Sequence, residues 1–97
     1  MPEMTFTSRW PDGRVLSSYS PSLVVHDHLT AGDSYSVADF VRRTTKALQT
    51  ASDRVRARYG YPCRRAAASL AAIEAVAASQ PGGSVRVEQM RPERAAA

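Results

Sequence analysis

Between Ser36 and Gly60 the chain carries one uninterrupted helical pattern with a start signal and a stop signal, and every other segment must be arranged around it. Ser36 and Asp39 have capping-box spacing: the serine hydroxyl accepts the amide at the third helical position and the carboxylate caps back. The negative charge of Asp39 also suits the positive end of the helix dipole. Tyr35 and Phe40 flank the cap at the positions of a hydrophobic staple. From there Val37, Phe40, Val41, Thr44, Leu48, Ala51, Val55 and Tyr59 recur at helical spacing, and Gly60 can take the left-handed conformation that ends a helix. A stripe of this length is stable only against a second layer.

The flanking segments supply that layer. Met4 to Trp10 alternates, with Met4, Phe6, Ser8 and Trp10 on one side, which predicts a half-buried strand. Trp10-Pro11-Asp12-Gly13-Arg14 is strong turn chemistry and makes a hairpin, for which two registers compete. A two-residue Asp12-Gly13 turn pairs Trp10 with Val15 and Phe6 with Tyr19. A type I turn with a bulge at Gly13 uses Pro11 better and shifts that pairing. Ser20-Pro21 suits a cap followed by the first helical residue, so Pro21 to Leu29 reads as a short helix, with a strand through Leu23-Val24-Val25 as the alternative. Thr30 to Ser34 reads as a loop. Pro62 opens a second helix with the stripe Cys63, Ala66, Ala67, Leu70, Ile73 and Ala77, antiparallel to the first around Gly60. Pro81-Gly82-Gly83 breaks it, and Ser84 to Glu88 alternates as a third strand. The expected fold is α+β: a small antiparallel sheet, from the N-terminal hairpin and a C-terminal strand, with an antiparallel helix pair on one face.

At 97 residues the chain holds one domain, expected over residues 1–90 with a disordered tail at 91–97. So short a chain has a limited core, and the sheet's second face is solvated or covered by another copy, so a homodimer is expected. Cys63 is the sole cysteine, which excludes an internal disulfide. The first residues lack a basic start and apolar stretch, and the alanine-rich segment is interrupted by Ser69 and Glu74, so a soluble cytoplasmic chain without a membrane span is expected.

Chemistry-bearing residues are few. The net charge of +4 rests almost wholly on arginine. Arg42, Arg43, Lys46, Arg54, Arg56, Arg58, Arg64 and Arg65 cluster along the central helix and its successor, with Asp39 and Asp53 the only acids between 39 and 65. A phosphate-binding face has this composition, and so does a solvated arginine-rich helix. Arg42, Arg43, Lys46, Arg54 and Arg56 are the candidate binding residues, but no aromatic stacking platform interleaves with them. His26-Asp27-His28 has metal-binding residue types, yet zinc takes three or four ligands and the lone Cys63 has no paired partner nearby in sequence. Cys63, beside Arg64 and Arg65 at a helix start, has features of a reactive thiol, while its place on the Leu70 and Ile73 stripe predicts a buried structural role. No Gly-x-Ser-x-Gly elbow or Gly-x-Gly-x-x-Gly loop occurs, and no cofactor or catalytic set is expected.

Four segments together resemble a known family: Arg9-Trp10-Pro11-Asp12-Gly13; Tyr19-Ser20-Pro21-Ser22-Leu23-Val24-Val25; Ala38-Asp39-Phe40-Val41; and Ala51-Ser52-Asp53-Arg54-Val55-Arg56-Ala57-Arg58-Tyr59-Gly60. Their order and spacing, over roughly residues 2 to 77, resemble the small bacterial nitrogen starvation response proteins. The genes of that family lie in a cluster with a nitrilase, a radical SAM protein, an acetyltransferase and a flavoprotein. The resemblance implies an accessory role in nitrile or cyanide nitrogen use when nitrogen is scarce, with proteins of the same cluster as partners, and it carries over no catalytic residues. A basic nucleic-acid-binding regulator and a small enzyme with its site at a subunit interface are the competing readings.

Overall fold

The computed structural model describes residues 2–94. Strands β1 (Met4–Arg9) and β2 (Val15–Ser20) form the hairpin, and a 3₁₀ turn follows at Leu23–Asp27. Strand β3 (Ser34–Ser36) runs directly into α1 (Val37–Tyr59), and α2 (Arg64–Ala78) and β4 (Ser84–Arg91) complete the chain. The sheet order is β2-β1-β4-β3, and every neighbouring pair is antiparallel. The fold is α+β as expected, with the two helices packed on one another and on the sheet.

The turn chemistry decides the hairpin register. Trp10 N–H donates to Arg14 O at 2.8 Å and Gly13 N–H to Trp10 O at 2.9 Å. Gly13 sits at φ +90°, so this is the type I turn with a glycine bulge that Pro11 favours. Arg9 therefore opposes Val15 and Phe6 opposes Ser18, and the two-residue alternative, which set Phe6 against Tyr19, does not occur. Ser18 and Ser20 join Met4, Phe6 and Trp10 in the interior. Ser8 belongs on that buried face because its hydroxyl accepts the Trp10 indole N–H at 3.0 Å. The opposite face carries Thr5, Arg9, Ser17, Arg86 and Glu88, and Arg9 meets Glu88 at 2.9 Å. That face is already polar, with Val15 (49% exposed) among its few apolar side chains, so it presents little apolar surface for a second copy to bury.

Strand β4 does not stop at Glu88. Val85, Val87 and Met90 are all buried, a pattern that changes phase midway. Thr7 opposes Gln89 but Ser8 opposes Val87, so Glu88 is an extra residue. This β-bulge returns Met90 to the core opposite Phe6. The tail expected from this point is correspondingly anchored. His26 Nε2 lies 2.9 Å from Pro92 O, and the Arg94 guanidinium donates to the carbonyls of His26 and Leu29. Residues 95–97 of that expected tail lie outside the described residues.

The connection between β2 and α1 also differs in detail. The short helix is a 3₁₀ turn, and its cap is Ser22, not Ser20: the Ser22 hydroxyl accepts Val24 N–H, while Ser20 Oγ donates to Ser22 O at 2.7 Å. Ser34, expected in a loop, begins β3 opposite Arg86. Ahead of it, Gly32 N–H donates to Val87 O and Val87 N–H to Asp33 O, which extends the pairing along β4.

Helix α1 starts where predicted, with Ser36 Oγ accepting Asp39 N–H at 3.1 Å. The return half of the capping box is replaced. Ser36 is already the last residue of β3, opposite Ser84, and the Asp39 carboxylate instead takes Arg42 and Arg43. Phe40 is 0% exposed and meets Trp10 edge-on, with ring centroids 5.3 Å apart. The buried stripe continues through Thr44, Ala47, Leu48, Ala51 and Val55. Thr44 satisfies its buried hydroxyl on Phe40 O at 2.8 Å.

Helix α2 buries Ala66, Ser69, Ile73 and Val76; Leu70 and Ala77 are half-buried and Ala67 is exposed, a rotation from the expected stripe. Ser69 explains it. Its hydroxyl donates to Tyr19 O at 2.7 Å and accepts Tyr19 N–H at 3.1 Å, so α2 covers the free edge of β2.

Ser36→Ala is expected to cost about 1 kcal/mol and leave a folded protein. Phe40→Ala is expected to cost about 3–5 kcal/mol, read by urea titration with far-UV circular dichroism. Ser69→Ala leaves both Tyr19 backbone groups short of a partner and should cost about 1–3 kcal/mol in the same titration, with accelerated amide exchange at Tyr19.

Candidate functional site

At 1.5 Å per residue the 23 residues of α1 span about 34 Å, whereas the eight residues of β4, on which it packs, cover about 26 Å. The helix therefore outruns the sheet it packs on. Val55 is its last buried residue, and Tyr59, which its spacing places on the core stripe, is 51% exposed. Gly60 closes the helix at φ +84°, its N–H bonded to Arg56 O at 2.8 Å. Tyr61, 61% exposed, follows at once, so the helical hairpin ends in a solvent-facing pair of tyrosines with ring centroids 6.2 Å apart and planes inclined by 31°.

Cations flank this pair in sequence. The Arg58 guanidinium lies 5.7 Å from the Tyr59 ring centroid, and Arg56, Arg64 and Arg65 are exposed nearby in sequence. No carboxylate occurs between Asp53 and Glu74, and none of these four arginines is in an ion pair among the described residues. Arg65 also lies over the Tyr19 ring at 3.6 Å. An open cup of about 590 Å³, lined by Val55, Tyr61, Pro62, Cys63, Arg64 and Arg65, adjoins the tyrosines. Aromatic groups thus do accompany the basic cluster, contrary to the sequence reading, because Tyr59 leaves the core where the helix overhangs. The signal available in the sequence was two tyrosines flanking a C-cap glycine.

The five candidate cations do not form one face. Arg43 donates to Asp39 at 2.8 Å and to His28 O at 2.8 Å, and it covers the Tyr35 ring at 4.8 Å. Arg42 shares the same Asp39 carboxylate. Arg54 donates to the capping hydroxyl of Ser22 at 2.9 Å. Arg43 and Arg54 therefore tie the 3₁₀ turn to α1 at its two ends. Lys46 and Arg56 are exposed, and of the five only Arg56 belongs to the hairpin tip.

The remaining candidates have structural partners. Cys63 is half-buried, not buried, because it is the N-cap of α2 and not a residue of its first turn. Its sulfur accepts Ala66 N–H at 3.4 Å, and its own N–H donates to Ser52 Oγ at 3.3 Å. Among the described residues no three His, Cys, Asp or Glu side chains gather closely enough to hold a metal ion. None of the described helices is long and apolar enough to cross a membrane.

Residues 5–90 match the family profile of nitrogen starvation-induced protein NitG. The chain belongs to this family. No curated protein and no solved structure matches it significantly. The NitG match runs from β1 to the buried Met90 of β4, so it takes in the hairpin, both helices and the tyrosine-arginine tip. The nitrogen-starvation setting implied by the sequence resemblance agrees with the family's description.

In this NitG-family chain, hydrogen bonds from Arg43 and Arg42 hold the Asp39 carboxyl below its ordinary value of 3.8. A carboxyl depressed in the folded state stabilises above its unfolded value, about 3.9, and loses that contribution as pH falls through the folded value. Asp39→Asn should therefore lower stability at neutral pH, and the difference from the parent should shrink as urea titrations are repeated below about pH 4.

Proposed function

We propose that this NitG-family protein is a binding accessory of the nitrogen-starvation response that acts through the tip of its helical hairpin, and not through catalysis. The observation that carries the reading is the exposed Tyr59–Tyr61 pair with Arg56, Arg58, Arg64 and Arg65 nearby in sequence, none of them in an ion pair among the described residues. Tyrosine and arginine are the side chains most enriched at the energetic centres of interfaces, because they offer large contact area with directed polar groups. Several of the other candidate side chains are engaged in the fold: Cys63 caps α2, Ser69 covers β2, and Arg43 and Arg54 hold the 3₁₀ turn. The gene-cluster association of the family it resembles supports a role in nitrile or cyanide nitrogen use.

The same tip favours nucleic acid as a second reading, since tyrosines and arginines also bind single strands. Both readings place function at the tip, and charge reversal tests it. Arg58→Glu combined with Arg64→Glu alters exposed side chains only, so thermal unfolding should change by no more than about 0.5 kcal/mol. The variant should fail to restore growth on a nitrile as nitrogen source to a strain lacking the gene. Restoration equal to the parent would remove the tip as the functional surface.

A further inference from the structure

We infer that the tip recognises a short acidic protein segment anchored by one apolar side chain, an inference that rests on the binding reading above. Charge complementarity sets the first half. Arg64 and Arg65 line the cup, Arg58 lies by the Tyr59 ring and Arg56 is exposed in the last turn of α1, and none of the four is in an ion pair among the described residues. The cations at the other end of α1, Arg42 and Arg43, already share Asp39. The strong positive field is therefore local, and it fits a few carboxylates better than an extended polyanion.

The cup sets the second half. Val55, Pro62 and Cys63 supply apolar lining beside Tyr61, and Arg64 and Arg65 complete it. An apolar side chain entering there leaves neighbouring carboxylates of its own segment within reach of the arginines. Stacking of a nucleobase is less well served. Tyr59 has Arg58 over its ring and Tyr61 beside it at a 31° inclination, so its faces are already partly engaged. These arginines also belong to the last turns of α1 and the first turn of α2, a short track for a phosphate backbone that carries a charge every few ångströms. Tip-to-tip contact with a second copy would set like charges against each other.

The test uses fluorescence anisotropy with the full chain and two labelled peptides of equal acidic charge, one with a central phenylalanine and one with alanine there. An oligothymidylate of similar length serves as competitor. The phenylalanine peptide should bind about tenfold more tightly than the alanine peptide, as expected for burying an aromatic side chain. Arg58→Glu with Arg64→Glu should abolish binding of both. Tyr61→Ser, a change at an exposed position, should reduce the phenylalanine peptide to the affinity of the alanine peptide and leave the latter unchanged. Equal binding of the two peptides overturns the anchor, and stronger displacement by oligothymidylate overturns the protein partner in favour of nucleic acid. A dimer in light scattering that the arginine reversals dissociate would assign the tip to self-association. If neither peptide binds while the arginine reversals still block growth on nitrile, this inference fails and the binding reading stands. Unimpaired growth would instead overturn the binding reading itself.

Discussion

Trp10 meets Phe40 edge-on at the junction of the sheet and the helical layer, and the placement of both layers follows from that contact. Trp10 is where the hairpin turns, so its position is set by the register that Pro11 and Gly13 impose. Phe40 lies in the first turns of α1, so its position is set by the Ser36 cap. The two local signals meet in one buried aromatic pair, with Ser8 accepting the indole N–H to complete it. Edge-to-face packing of this kind adds about 0.5–1.5 kcal/mol to the burial of the rings. Its larger consequence is geometric, because once the start of a long helix is pinned to the hairpin, the rest of its stripe can lie only along the sheet.

A limited core leaves much of the remaining organisation to polar side chains. Ser69 meets both backbone groups of Tyr19 and covers the sheet edge that would otherwise invite pairing with another chain. Arg43 and Arg54 hold the 3₁₀ turn against α1 from its C-terminal and N-terminal sides. Arg94 and Pro92 draw the segment after β4 onto the same turn. These contacts join groups distant in sequence, so they tie together elements that local propensity would leave independent. They also remove several arginines and serines from the pool available for chemistry.

The surface proposed for binding arises from a mismatch of lengths. A helix of 23 residues, about 34 Å long, outruns even the eight-residue β4 at about 26 Å, and its last turn exposes the residue its stripe carries there. Here it carries Tyr59, and the reversal at Gly60 places Tyr61 and the arginine-bearing start of α2 beside it. The chain belongs to the nitrogen starvation-induced NitG family, and the tip is its proposed binding surface.

By itself the sequence determined the elements whose causes are local. These are the hairpin at Pro11-Asp12-Gly13, the cap at Ser36, the stop at Gly60, an alternating strand at Ser84 and the existence of a second helix, which starts at Arg64 and not at Pro62 as expected. Each depends on backbone restrictions or hydrogen bonds within a few residues, which a single chain segment displays in full. The tertiary structure decided what depends on partners far along the chain. The bulge at Glu88 that returns Met90 to the core exists only against β1. Strand β3 is too short to show a period and is defined by its pairing with β4. Ser69 reads as a polar interruption of an alanine-rich helix until Tyr19 of the edge strand is beside it. Tyr59 has core spacing but no core beneath it, because periodicity reports which side of a helix a residue occupies and not where the opposing layer ends.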